Sequence, residues 1–265
     1  MRGHCQTRGQ AVGAVKAFFL VGYDYTEALL QLPEFASVRI GIRGADVPHF
    51  SENSLGKLQA TFADRVIVGS AEDLLTEAAS ADADVVISLG WRMLIPAERR
   101  SGSTQWINVH PALLPRYRGY HPVPNVIING EERHGVTAHL MVDEVDAGDI
   151  ILQEAFDVSP FMTLQSLQYL VRELMPGFLR RLLNLLESGL QDNQPNPMTD
   201  DVIVAPRRTP SDSELQPEMS VADAYAQFRA SDPERFPTYV TLFGEKVYIS
   251  FSRAESSPRA TPFDV

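Results

Sequence analysis

The sequence predicts an α/β fold: a Rossmann-like, mostly parallel sheet with a small C-terminal helix-plus-hairpin appendage. Three observations carry that reading. From Ala17 to Ser159, short apolar runs alternate with helix-like segments. From Thr163 to Gly189, apolar residues recur at spacings of three and four. From Thr238 to Phe251, apolar and polar residues alternate about Gly244-Glu245. With 265 residues, 44% of them hydrophobic, the chain can bury one large core and a small appendage.

Residues 1–16 read as a disordered leader. Arg2 and Arg8 precede an apolar run, Ala14–Tyr23, as in a secretory signal, but Lys16 interrupts it and no small-residue cleavage site follows. The run reads instead as a first strand, Ala17–Gly22. Further strands are expected at Ser37–Gly44, Arg65–Gly69, Ala83–Gly90 and Gln105–Val109. Between the third and fourth, Ser70–Ser80 opens with a serine cap and an acidic first turn, the signature of a helix. Gly135–Val142 and Asp149–Ser159 read as two strands around a loop. In the leucine-rich stretch, Pro176 is expected to end one helix and start the next, or to kink one long helix. After Gly189 the chain turns polar and proline-bearing. A helix at Val221–Ala230 and the hairpin follow, so the expected units are a main domain 17–200, a subdomain 201–252 and a disordered tail 253–265.

Composition excludes several classes. The net charge of −11 makes nucleic acid a poor partner, because phosphate binding needs a basic surface. The single cysteine, Cys5, rules out an internal disulfide framework or a cysteine zinc site, and it suits a cytoplasmic protein. No apolar stretch approaches the ~20 residues of a membrane span. His110, His121, His134 and His139 lack metal-ligand spacing, so no metal is expected. There is neither a G-x-G-x-x-G after the first strand nor a G-x-S-x-G, which leaves nicotinamide binding and a serine nucleophile unsupported.

The chemistry concentrates where strands end. In open parallel sheets, ligands sit beyond the carboxyl ends of the strands. The fourth strand runs into Gly90–Pro96, and the fifth ends in Asn108-Val109-His110-Pro111. Alternation puts Asn108 and His110 on one face. An amide and an imidazole converging on one point can stabilise an oxyanion, and a carboxylate nearby can orient the imidazole or take a proton. Asp146, in a glycine-containing loop, is the candidate; read alone, that loop is also compatible with an ordinary acidic surface turn, and a lone histidine is more often structural than catalytic. Pro111 and Pro115 stiffen the turn that carries the pair.

"NVHPALLPRYRG" and "HGVTAHLMVDEVDAGDIILQ" closely resemble the folate-dependent formyltransferases, over roughly Ala17 to Arg208. The shared pattern is Asn-x-His-Pro-(small)-Leu-Leu-Pro, then a Gly-x-Thr-x-His strand, then Asp in a glycine-containing loop. The resemblance implies a formyltransferase fold, a catalytic triad of Asn108, His110 and Asp146, and 10-formyltetrahydrofolate as cosubstrate. It places the folate against Trp91, Arg92, Met93, Leu94, Ile95, His139, Val142 and Asp143. Arg118, Tyr120 and His121 are expected to meet the acceptor, although Arg118 reads equally well as a structural turn residue.

Departures from the family's branches narrow the acceptor. "VGYDYTEALLQL" holds a single glycine, unlike the glycine-rich phosphate loop of glycinamide ribonucleotide enzymes. Methionyl-tRNA enzymes add a larger, basic C-terminal barrel, and formyltetrahydrofolate hydrolases add an N-terminal regulatory domain; neither is expected here. The C-terminal stretch from "RRTPSDSEL" is similar to the extension of amino-sugar N-formyltransferases. The resemblance therefore implies a nucleotide-linked amino deoxy sugar for surface glycans as acceptor, with the nucleotide unspecified. N-hydroxyornithine, another small amine, methionyl-tRNA, or a silent folate-binding scaffold are the alternatives. Val240, Leu242, Val247 and Ile249 are expected to pack the hairpin on the main domain or on a second subunit, as a homodimer.

Overall fold

The apolar runs become the strands of one twisted sheet. The computed structural model describes residues 14–32, 37–100, 102–189, 192–197 and 202–251. The expected tail and residues 1–13 of the expected leader lie outside them. In the described residues a seven-stranded sheet has the order β3-β2-β1-β4-β5-β7-β8. Its parallel part is β1 (Ala17–Val21), β2 (Val38–Arg43), β3 (Val66–Gly69), β4 (Val85–Leu89) and β5 (Gln105–His110). Two antiparallel strands, β7 (Arg133–Leu140) and β8 (Ile150–Asp157), complete it. β1 and β4 are buried along their whole length, as parallel strands covered on both faces must be, hence their unbroken apolar sequences.

One face carries Ile87, Ile107 and Val109 against α5 (Leu164–Ser188); the other carries Phe18, Leu20, Val86 and Trp106 against α3 (Ala71–Ser80). Ser70 caps α3 as expected, accepting from the Asp73 amide. Of the two forms expected for α5, the single helix is observed, running through Pro176. An interior proline costs about 3 kcal/mol. Each large side chain buried beside it regains about 1.5–3 kcal/mol, and Met175, Phe178, Leu179, Leu182 and Leu183 are all buried. The sum decides for continuity.

Short elements without periodicity shape the carboxyl end of the sheet. They are α1 (Thr26–Leu29), α2 (Ser54–Phe62), the two-residue strand β6 (Arg118–Gly119) and α4 (Pro122–Ile128). β6 pairs with a second two-residue strand, β9 (Val204–Ala205), so the chain beyond residue 200 returns to the main sheet's carboxyl edge. α6 (Val221–Arg229) packs on α4, and Ala230 joins an apolar cluster with Val123, Ile127 and Leu167.

The hairpin consists of β10 (Tyr239–Leu242) and β11 (Glu245–Tyr248). Its turn is Phe243-Gly244, both at positive φ, one residue earlier than the sequence suggests. The hairpin's root is held within the expected subdomain 201–252 itself. There Tyr239 is buried and its carbonyl accepts from the Leu215 amide at 2.7 Å. Leu242, Phe243, Val247 and Tyr248 are exposed.

Candidate active site

Strand register builds the site. Ser88 on β4 lies opposite Asn108 on β5, which lies opposite His139 on β7. All three side chains therefore stand in one row on one face of the sheet. Asp146 reaches the row from the loop between β7 and β8, at φ 53, a left-handed conformation unusual for a non-glycine residue. Gly148 allows this loop to close, since a Cβ there would sit 1.9 Å from the Leu140 carbonyl oxygen.

The Asp146 carboxylate is a hub. Its Oδ1 accepts from Asn108 Nδ2 at 3.0 Å and lies 3.3 Å from His139 Nε2. Its Oδ2 accepts from the Gly119 amide at 2.9 Å and lies 3.5 Å from His110 Nδ1. Asn108 is oriented by its other end, where Oδ1 accepts from Ser88 Oγ at 2.9 Å. His139 donates from Nδ1 to the Leu140 carbonyl at 2.8 Å, leaving Nε2 facing Asn108 Nδ2 at 3.3 Å. His110 donates from Nε2 to the Tyr117 carbonyl at 2.8 Å. Tyr117 turns that carbonyl inward by adopting φ 61, and its hydroxyl is held on Glu131 at 2.6 Å.

The electrostatics follow from burial. Burial alone would raise the Asp146 carboxyl, but the imidazoles of His110 and His139 and the Gly119 amide hold it well below the usual carboxylate range. The Gly119 amide and Asn108 Nδ2 both donate to it. His110, 4% exposed, is pushed below its ordinary value by burial, with Asp146 and the Tyr117 carbonyl pulling the other way. Burial thus favours the neutral form of the His110 imidazole beside the Asp146 carboxylate. Both Asn108 Nδ2 hydrogens also have partners at rest, so the amide must release one to serve as an oxyanion donor.

The other expected residues divide. His139 stands inside the hub rather than at its rim. Met93, Leu94, Val142 and Asp143 are exposed on the two flanking loops, which Arg100 ties together through Asp143 at 2.9 Å. Ile95 is buried with Phe18, Leu20 and Trp106 and is a core residue. The Trp91 ring lies under Arg43, and Arg92 covers the Tyr23 ring at 5.1 Å. Apolar side chains left in solvent on both loops, at the mouth of a polar hub, suit a flat ring such as a pteridine.

Tyr120 is exposed. His121 accepts from the Arg208 amide through Nδ1 at 2.9 Å. Arg118 is 3% exposed, with its guanidinium donating to the Asn196 carbonyl at 2.6 Å, to Asn196 Oδ1 at 3.0 Å and to Glu144 at 3.2 Å. That is the placement of a clamp on the 192–197 segment, the structural alternative for Arg118, rather than of a cation turned to an acceptor. Ser88 and Gly119 are the residues that sequence reasoning missed. A serine inside an otherwise apolar strand, "VVISL", was the available signal for the first; nothing local marks the second. Among the described residues, no group of three His, Cys, Asp or Glu could hold a metal ion, and no helix is long and apolar enough to cross a membrane.

The family described as formyl transferase matches residues 59–183, which contain Ser88, Asn108, His110, His139 and Asp146. A methionyl-tRNA formyltransferase of Thermotoga maritima is 48% identical over 82 residues, 31% of this chain and 26% of that protein. The chain therefore spans about a quarter of that curated relative's length. Among solved structures, a 4-N formyltransferase from Francisella tularensis superposes with a TM-score of 0.71 at 20% identity, covering 92% of this chain and 100% of that one. An N-formyltransferase from Helicobacter canadensis, solved with folinic acid and dTDP-3-aminofucose, gives a TM-score of 0.70 at 16% identity over 88% of this chain and 86% of that one. At these identities the structural likeness is one of fold. Residues 59–183 are thus a formyl transferase segment, carried within the fold of the sugar N-formyltransferases.

Proposed function

We propose that this protein transfers a formyl group from 10-formyltetrahydrofolate to a primary amine, most readily the amine of a nucleotide-linked amino deoxy sugar used in surface glycans. The observation that carries the reading is the Asp146 hub, assembled from Ser88, Asn108, His110 and His139 inside the matched segment. The folate supplies the activated formyl group, held between the Trp91–Ile95 loop and the Val142–Asp143 edge. The ionised Asp146 and neutral His110 accept the proton that the attacking amine must lose. Asn108, pinned by Ser88, turns an Nδ2 hydrogen to the oxygen on which negative charge develops. The new N–C bond forms as the bond from the formyl carbon to the folate nitrogen breaks, and that nitrogen leaves protonated. No covalent bond to the protein is needed.

The sugar acceptor is supported by fold likeness extending over nearly the whole chain, including the C-terminal part, at 92% and 88% of it. A second reading, methionyl-tRNA as acceptor, is favoured by curated relatives such as those of Thermotoga maritima and Lactobacillus acidophilus. The net charge of −11 speaks for the sugar. The same reading puts the enzyme in the cytoplasm, as a homodimer joined through the exposed hairpin. Incubation with 10-formyltetrahydrofolate and a panel of amino-sugar nucleotides, N-hydroxyornithine and charged initiator tRNA, followed by mass spectrometry, tests it. A formyl mass gain on the sugar nucleotides is expected. Preference for either other acceptor removes the sugar assignment, and no transfer to any removes the activity.

A further inference from the structure

The Asp146 carboxylate reaches the hub only because the backbone beneath it is bent. Asp146 sits at φ 53. Aspartate visits this left-handed region more readily than most residues, but as a single residue that its surroundings must hold. One side of the bend is closed by close packing, where Gly148 lies against the Leu140 carbonyl. On the other side, Asn196 Nδ2 donates to the Asp146 carbonyl at 2.9 Å and to the Gly148 carbonyl at 3.0 Å. A carboxamide nitrogen carries two hydrogens, so both are spent on this loop. Asn196 is 6% exposed, so bulk water does not stand ready to replace it.

The segment that carries Asn196 is built to hold one position. Gln194 and Ile150 exchange both backbone hydrogen bonds at 2.8 Å, which registers the segment against the first residue of β8. Pro195 and Pro197 flank Asn196. Each proline fixes its own φ and confines the residue before it to extended backbone, so Gln194 and Asn196 have few alternatives. Arg118 grips Asn196 from the acceptor side, donating to Oδ1 at 3.0 Å and to the backbone carbonyl at 2.6 Å. A donor on Oδ1 also settles that the nitrogen end of the carboxamide faces Asp146.

The neighbour of Arg118, Gly119, donates its amide to the Asp146 carboxylate at 2.9 Å. A closed circuit results. β6 holds the carboxylate through Gly119 and holds Asn196 through Arg118, and Asn196 holds the carbonyl of the same aspartate. Both ends of Asp146 are fixed relative to one short strand. Asn196 lies beyond residues 59–183, the formyl transferase segment, so that segment alone does not complete the circuit. We propose that Asn196 is the positioning residue for Asp146, fixing the left-handed turn from which the carboxylate addresses the attacking amine. It acts through the Asp146 backbone and on no reacting atom. Proton transfer is sensitive to such placement, because a shift of about 1 Å can cost about a hundredfold in rate. This inference rests on the formyltransferase reading given above.

Two variants test it. Asn196→Ala removes both donors. Asn196→Ser keeps one hydroxyl donor and room for a water, and carries the test if the alanine variant does not fold. Three measurements on the full chain are compared with the wild type: steady-state kinetics, calorimetric titration with 5-formyltetrahydrofolate, and carbon-13 NMR titration of the aspartate carboxylates. The Asp146 signal is the one lost in Asp146→Asn. In the alanine variant kcat should fall by about tenfold to a hundredfold, and in the serine variant by less. Affinity for 5-formyltetrahydrofolate should change by less than about twofold. The Asp146 carboxyl should titrate higher than in the wild type, toward the ordinary value of about 3.9. The cause is its drift from the Gly119 amide and from His110 and His139, the titratable groups that face it. A residue that merely stabilised the fold would lower the urea midpoint and leave that titration unmoved. Unchanged kcat, or a fall in kcat without movement of the Asp146 titration, overturns the proposal. A loss of folate affinity that matches the loss of kcat assigns Asn196 to the folate loop and overturns it as well. If the titration moves as expected but the wild type formylates no amine, the positioning role stands and the formyltransferase reading fails.

Discussion

The Asp146 hub and the C-terminal hairpin meet opposite fates in the same molecule. At the hub, polar groups are drawn out of water and given protein partners: Asp146 accepts from Asn108 and Gly119, Ser88 holds the far side of Asn108, and two backbone carbonyls hold His110 and His139. At the hairpin, apolar groups remain in water: Leu242, Phe243, Val247 and Tyr248 project beyond a root fixed at Tyr239. The first region is preorganised, so a change there costs chemistry. The second has few internal contacts to lose, so a change there costs association or nothing. The difference teaches that burial, more than residue type, decides what a substitution does in this chain.

Four substitutions sharpen or break that contrast. The largest effect is expected at the hub. Asp146→Asn removes the proton acceptor and the charge that two donors address, and should lower kcat by about a hundredfold to a thousandfold, or ~3 kcal/mol or more. Affinity for 5-formyltetrahydrofolate should change far less, because the loss falls on the transition state. Near wild-type turnover in this variant would end the catalytic assignment.

Arg118→Leu comes next, as a stability change rather than a catalytic one. It strands the Asn196 carbonyl and side-chain oxygen inside the protein, which should cost about 2–3 kcal/mol in urea unfolding. A KM defect with an unshifted unfolding midpoint would instead return Arg118 to the acceptor site.

His134 tests burial without hydrogen bonds. It is 1% exposed, neither ring nitrogen has a hydrogen-bond partner among the described residues, and it packs edge-on to Phe156. Burial, with a smaller push from His110, lowers it to about 4 from the ordinary 6.5. The unfolded chain thus binds more protons between those values, so its contribution is complete above about pH 6.5 and declines as pH falls toward 4. His134→Leu should relieve about 2 kcal/mol of acid destabilisation at pH 5 relative to pH 7. The depressed His110 and His121 titrate alike in both proteins, and Asp146 matters only below its unfolded value. Identical pH profiles of wild type and variant would refute this account.

The smallest effect on folding is expected at the hairpin tip. Phe243→Ser should alter stability by less than ~0.5 kcal/mol, while shifting the protein toward monomer in light scattering. Wild-type protein that is monomeric across micromolar concentrations would remove the homodimer.

How much was legible depended on range along the chain. The central strands and α3 could be read because runs of buried residues and a capping serine are local signals. Asn108 and His110 could be paired because alternation is local too. At Pro176 the sequence left open one helix or two, since a backbone cost was visible in sequence whereas the buried Phe178 and Leu179 that outweigh it depend on the sheet beneath. The two-residue strands β6 and β9 left no periodicity to find.

The amino-acid sequence by itself determined the sheet's buried strands, the polar residues at their carboxyl ends and the order of the motif that links Asn108, His110 and Asp146. Only the tertiary structure decided which of these groups meet. Cross-strand register put Ser88 and His139 beside Asn108. A left-handed turn at Asp146 brought its carboxylate to both imidazoles. Arg118 is spent on Asn196, and the β6–β9 pairing brings the Arg208 amide to His121. The physical reason is that periodicity reports burial along one element, whereas the partner of a buried charge is set by hydrogen-bond geometry between elements far apart in the chain.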